Sequence, residues 1–165
     1  MIAEVLNSYA LSIDYLRGLL ADLPDEKLAD QPGGVVNHPL WTIGHLVYSA
    51  QMIGIELGMP TWLPEDWATQ YGKGSVPSPE LGKYPIKDAL FERLTDAEHR
   101  LKAHLQELGE ESMRQPLSDE RFRAMMPTLG HAVTHILTTH TGAHLGQVLV
   151  WRRVMGFPSL SKAMD

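Results

Sequence analysis

Cysteine is absent from the 165 residues. That excludes a disulfide scaffold, a thiolate metal site and a cysteine nucleophile, and leaves His, Asp and Glu as the side chains able to hold a metal ion. Basic residues are few, 14 against 20 acidic ones for a net charge of -6. They form no run, so the chain has little means of gripping a phosphate backbone, and nucleic acid is not an expected partner. Long apolar runs are missing too: no stretch reaches the roughly 18 apolar residues of a membrane span. The first residues, Met1 to Asn7, carry no basic leader, so no signal peptide is expected, and the expected location is the cytoplasm. Strand-like alternation is also lacking. What remains, 44% hydrophobic and 21% charged, is the composition of one globular domain spanning 1–165, large enough to bury a core.

Four segments have the apolar spacing of helices. The first, about 2–22, places Ile2, Val5, Leu6, Tyr9, Ile13, Leu16 and Leu20 at intervals of three and four, with Glu4, Ser8 and Arg17 opposite. The second begins at Asn37-His38-Pro39, where Asn37 or His38 can cap and Pro39 suits the first turn, and runs to about Leu57. The third extends from Tyr84-Pro85 to about Leu108, with Ile86, Leu90, Leu94, Ala97, Leu101 and Leu105 inward and Gly109 stopping it. The fourth runs from Thr128 through Met155, and the residues after Pro158 read as a loose tail. Residues 58–84, rich in Pro and Gly, read as a loop without periodicity. It is long for a compact domain, and Trp62, Trp67 and Tyr71 within it are expected to anchor it or to wall a pocket. Such a crossover can span a whole helix, so helices two and three can run parallel. The expected fold is an all-α four-helix bundle, up-down-down-up.

The eight histidines sort by position. His140 and His144 lie one helical turn apart. At about 100° per residue, Val133, Leu137 and Trp151 fall within roughly 60° of His140, so both imidazoles point toward the expected core. His131 and His135 fall roughly 180° and 140° away, on the outer face or at a subunit contact. His99 and His104 lie off the apolar stripe of helix three, and His38 is placed to cap. His45 shares a face with Trp41, Tyr48 and Met52 and is a third inward histidine. With helices two and four antiparallel, it can meet His140 and His144 inside the bundle. Three neutral imidazoles around a divalent ion leave a position open, as in catalytic sites, and they suit zinc, nickel, iron or copper. Gln147, on the face of His140, could orient a ligand, and Asp14, Tyr15 and Glu98 are further outer candidates. Gly142 and Gly146 read as close packing against a neighbouring helix or subunit. A metal-free bundle with all three histidines satisfied by hydrogen bonds is the opposing reading.

His45 within Leu40-Trp41-Thr42-Ile43-Gly44-His45-Leu46, followed about a hundred residues later by His140-xxx-His144-x-Gly146-Gln147, resembles the DinB/YfiT-like family of metal-dependent enzymes. The resemblance covers nearly the whole chain. It implies an up-down-down-up bundle, often a homodimer, with His45, His140 and His144 as ligands of a divalent metal, zinc or nickel first and iron or manganese next. Relatives include S-transferases and isomerases that use a low-molecular-weight thiol, and metal-dependent hydrolases. The implied function is thiol S-transfer to a small-molecule electrophile. The alternatives are hydrolysis of small amides or esters, or a non-catalytic metal-binding dimer. Leu145 stands where the family often has Arg after the last ligand, which removes any substrate contact that Arg would make.

Overall fold

The computed structural model describes residues 1–158; the expected tail beyond Pro158 lies outside the described residues. Among these the protein is all-helical: α1 (Ile2–Leu20), α2 (Pro39–Glu56), α3 (Asp66–Tyr71), α4 (Lys87–Ser112), α5 (Leu129–Thr134) and α6 (Thr141–Val154), with a π-helical turn at His135–His140 joining the last two into one segment. The helix starts follow from local chemistry. His38 caps α2, its Nδ1 accepting from Trp41 N at 3.3 Å, with Pro39 at the first position, where a missing N–H costs nothing. In α4, Gly109 (φ 73°) leaves helical geometry, so the regular helix ends where the sequence placed its stop, and one further turn follows.

Contacts at the helix ends fix the relative directions. The start of α1 meets the end of α4 through the Met1 amino group and Glu110 (3.0 Å), while Lys87 Nζ at the start of α4 donates to Leu20 O (3.2 Å), so these two run antiparallel. The ends of α1 and α6 meet where the Arg152 guanidinium donates to Leu19 O and to both Asp22 oxygens, each at 2.7 Å. His104 Nε2 donates to Leu57 O (2.9 Å) late in both α2 and α4, and Asn37 at the start of α2 bonds Gln147 near the end of α6 (3.0 Å). Between the helices lie Leu16, Leu19, Ile43, Val47, Leu90, Leu94, Leu101, Val148 and Trp151, all buried. Each contributes about 1.5–3 kcal/mol through removal of its side chain from water.

Three expectations are corrected. The crossover is not all loop, because α3 forms within it. A single turn and a half is too short to leave a period in the sequence, and its stability comes from burying Trp67 and Tyr71. Ile86 is 69% exposed, because it is the extended residue before α4 and not part of its inward stripe. The final segment is not a uniform α-helix either. Thr138 and Thr141 turn their hydroxyls onto the carbonyls of Thr134 (2.6 Å) and Ile136 (3.0 Å), and the ladder between them widens to a π-turn. That turn advances fewer degrees per residue, so His135, exposed as expected, nevertheless comes within 6.4 Å of His140, ring centre to ring centre. No helix among the described residues is long and apolar enough to cross a membrane.

Candidate metal centre

His45 is placed by its neighbour. Gly44 lies against the Tyr71 ring, and a Cβ there would come 2.5 Å from Tyr71 Cζ and closer to two other ring carbons. Only glycine lets the crossover approach this closely. The approach brings Tyr71 O to 2.6 Å from His45 Nδ1, which donates to it. Trp41 stacks on the imidazole, ring centres 4.7 Å apart and planes inclined by 11°. Its own indole N–H is held by Gln70 O (3.0 Å) and Ser75 Oγ (3.1 Å). The crossover therefore fixes His45 from one side and Trp41 from the other.

The last helical segment supplies the other two imidazoles. His140 ends the π-turn and His144 lies one turn into α6, where its Nδ1 donates to Gln147 Oε1 at 3.0 Å. Gln147 Oε1 also accepts from Asn37 Nδ2 at 3.0 Å, so the loop before α2 steadies the amide that steadies His144. His140 Nε2 then stands 3.2 Å from His45 Nε2 and 3.3 Å from His144 Nε2. Among the described residues no other three His or acidic side chains converge in this way.

Protonation chemistry decides what this cluster fits. With Nδ1–H committed to Tyr71 O and to Gln147, His45 and His144 present lone pairs on Nε2. His140 can donate to one of them at most, and its Nδ1 is buried with no partner among the described residues. As a metal-free hydrogen-bond network the cluster is therefore incomplete, at a cost of about 1–3 kcal/mol for the orphaned nitrogen. Two of the three separations, 3.2 and 3.3 Å, match the edge of about 3.3 Å for nitrogens placed 2.0–2.1 Å from a tetrahedral ion, and all three ligand atoms lie within 4.8 Å of one another. The donor set fits a divalent metal.

Burial pushes all three imidazoles toward the neutral form, His140 and His144 down to about 4, and for His140 the neighbouring imidazoles add to it. His38, buried between Leu28 O and Ser78 O, is also lowered to about 4 by burial. An unfolded chain takes up protons on these groups as pH falls through 6.5, whereas the folded metal-free protein does so only near 4. The unfolded state thus binds more protons in that window, and the stability contribution is complete above it and lost as pH falls toward 4. We expect urea midpoints of the metal-free protein to drop steadily from pH 7 to pH 4.5; a flat profile there would contradict the assignment.

Of the other sequence candidates, Asp14, Tyr15 and Glu98 are not among the hydrogen-bond partners of the three imidazoles. His131, His135 and His99 are exposed, and His104 is tied to Leu57 O. For Gly142 and Gly146 the expected packing against a neighbouring helix is corrected: among the described residues beyond their own helix, nothing lies within 4 Å of a Cβ built at either, so both face outward, where a second subunit is the remaining reading. Sequence reasoning missed Tyr71 O and Asn37 as the groups behind the histidines. The available signal was Gly44, a glycine inside an otherwise strongly apolar helix directly before His45.

Two comparisons bear on this centre. The family model of the DinB superfamily matches residues 9–148, which include His45, His140 and His144. No curated protein matches the chain.

Proposed function

The chain belongs to the DinB superfamily, and on that premise we propose that His45, His140 and His144 hold one divalent metal ion in an enzyme that joins a low-molecular-weight thiol to a small electrophile. The observation that carries the reading is the convergence of three Nε2 atoms, two of them fixed as lone-pair donors by bonds on the far side of the ring. Neutral imidazoles suit zinc, nickel, iron and copper, and the family resemblance puts zinc or nickel first, with iron or manganese next. Three protein ligands leave room for a substrate atom, and a divalent ion there lowers the pKa of the thiol or water it receives.

The residues of the chain do the positioning. Tyr71 O and Gln147 Oε1 fix the tautomers of His45 and His144 before any ligand arrives, so little rotation is lost on binding. Trp41 closes one wall against water. Gln147→Ala is expected to weaken metal affinity by about 10–100-fold, because His144 loses the acceptor that orients it. Competition against a chromophoric chelator measures this, and an unchanged affinity would show that Gln147 does not act on His144.

The function is tested by turnover of a panel of neutral electrophiles and of small esters and amides by the zinc- or nickel-loaded protein, with and without added glutathione or another thiol. Product formation that requires the thiol and incorporates it supports S-transfer. Turnover of esters or amides indifferent to thiol replaces that reading with hydrolysis on the same centre.

A further inference from the structure

Behind His144, whose partner Gln147 forms part of its wall, an open cleft of about 420 Å³ lies between the loop that precedes α2 and the outer face of α6. Val36, Asn37, Ala143, Gly146, Gln147 and Val150 line it, and no charged side chain does. Two observations set it apart from an ordinary surface groove. Gly146 lies in mid-helix, where glycine costs up to about 1 kcal/mol against alanine, yet among the described residues no atom of another element occupies the space above it. The glycine keeps that space open rather than admitting a neighbouring helix. The second observation is the amide pair. Gln147 Oε1 is taken by His144 Nδ1 and Asn37 Nδ2, which leaves Gln147 Nε2 as a donor and Asn37 Oδ1 as an acceptor on the cleft wall, without other partners among the described residues. Val36 and Val150, 47% and 51% exposed, give it an apolar rim.

We propose that this cleft is the subsite for the non-reacting part of the substrate, an uncharged group that is apolar apart from an amide-like donor and acceptor. The proposal rests on the metal-enzyme reading above and assigns its electrophile to a chemical class. A cleft of this size, mostly apolar with a few fixed polar groups, is the usual form of a small-molecule site. An anionic group would find no cation on this lining to pair with. Gln147 ties the two places together: its oxygen holds His144 on the Nδ1 side and its side chain lines the cleft, so a substrate whose inert part is seated there reaches past the His144 ring to bring its reactive end to the metal-facing nitrogens.

The test is binding, not turnover. N-acetylleucinamide, a neutral amide with a branched apolar side chain, is titrated into the full chain with and without zinc and followed by amide NMR shifts, with N-acetylleucine as its carboxylate counterpart. The neutral probe is expected to shift the Asn37, Gly146 and Val150 signals and the carboxylate to bind more weakly. Gly146→Leu, which fills the cleft and favours the helix, should lower affinity by about tenfold or more; Val150→Asp should do the same by placing a charge on the rim. Neither should change zinc uptake. Failure of the probe to bind, or binding indifferent to both variants, overturns the subsite. So does sedimentation showing a dimer that Val150→Asp dissociates, since the cleft would then be an interface between two copies. Zinc titration reads the metal centre separately: absence of uptake removes the metal reading, whatever the probe does.

Discussion

Gly44→Ala is expected to cost the protein most of its metal affinity without touching a ligand. The added methyl falls inside the Tyr71 ring, 2.5 Å from Cζ, and Tyr71 is wholly buried beside Trp67. The ring has no free direction in which to yield, so the crossover must move off α2. Overpacking of this kind costs about 1–3 kcal/mol, partly offset by the better helix propensity of alanine, up to about 1 kcal/mol. Net stability therefore falls only modestly. The larger consequence is local: Tyr71 O leaves His45 Nδ1, and Trp41 loses the Gln70 and Ser75 partners carried by the same stretch. His45 is then free to turn or change tautomer. We expect metal affinity at least about 100-fold below wild type and a small decrease in melting temperature. Gly44→Ala with wild-type affinity would show that the crossover does not position His45.

His140→Ala is expected to act in opposite senses with and without metal. In the metal-free protein His140 is a liability: its Nδ1 is buried without a partner, and its Nε2 faces two other imidazole nitrogens. Removing a half-buried side chain of that kind relieves a cost of about 1–3 kcal/mol, so the melting temperature of the metal-free variant should equal or exceed that of metal-free wild type. In zinc the order reverses. Wild type gains stability by RT ln(1 + [L]/Kd), about 4 kcal/mol at a thousandfold excess of ligand over Kd, and the variant gains almost none. Two thermal melts per protein, in chelator and in zinc, check this. A metal-free variant markedly less stable than wild type would mean that the three histidines form a hydrogen-bonded core contact and not a site.

Much of the site could be read in the chain before its structure was known, and the reason is periodicity. His140 and His144 share a face because the spacing of four brings them there, and their burial follows from Leu137 and Trp151 on the same side. His45 was legible in the same way, and His38 as a cap because Pro39 follows it. What escaped lacks a period. The short α3 is stabilised by what it buries rather than by its own sequence, and the π-turn arises from two threonine hydroxyls bonding backward. Tyr71 acts on His45 through its carbonyl, a group that every residue carries and no composition reveals. Met52, expected on an inward face with His45, is 43% exposed, because that face of α2 is the margin of the bundle.

The most direct test of the metal centre is elemental analysis of untagged protein purified without added metal, then again after reconstitution with zinc or nickel and removal of excess, alongside His45→Ala. The account predicts about one equivalent of a single divalent metal per chain in wild type and none in His45→Ala, with both proteins equally helical by circular dichroism. Wild type that retains no divalent metal after reconstitution, or a His45→Ala protein that retains a full equivalent, would contradict it.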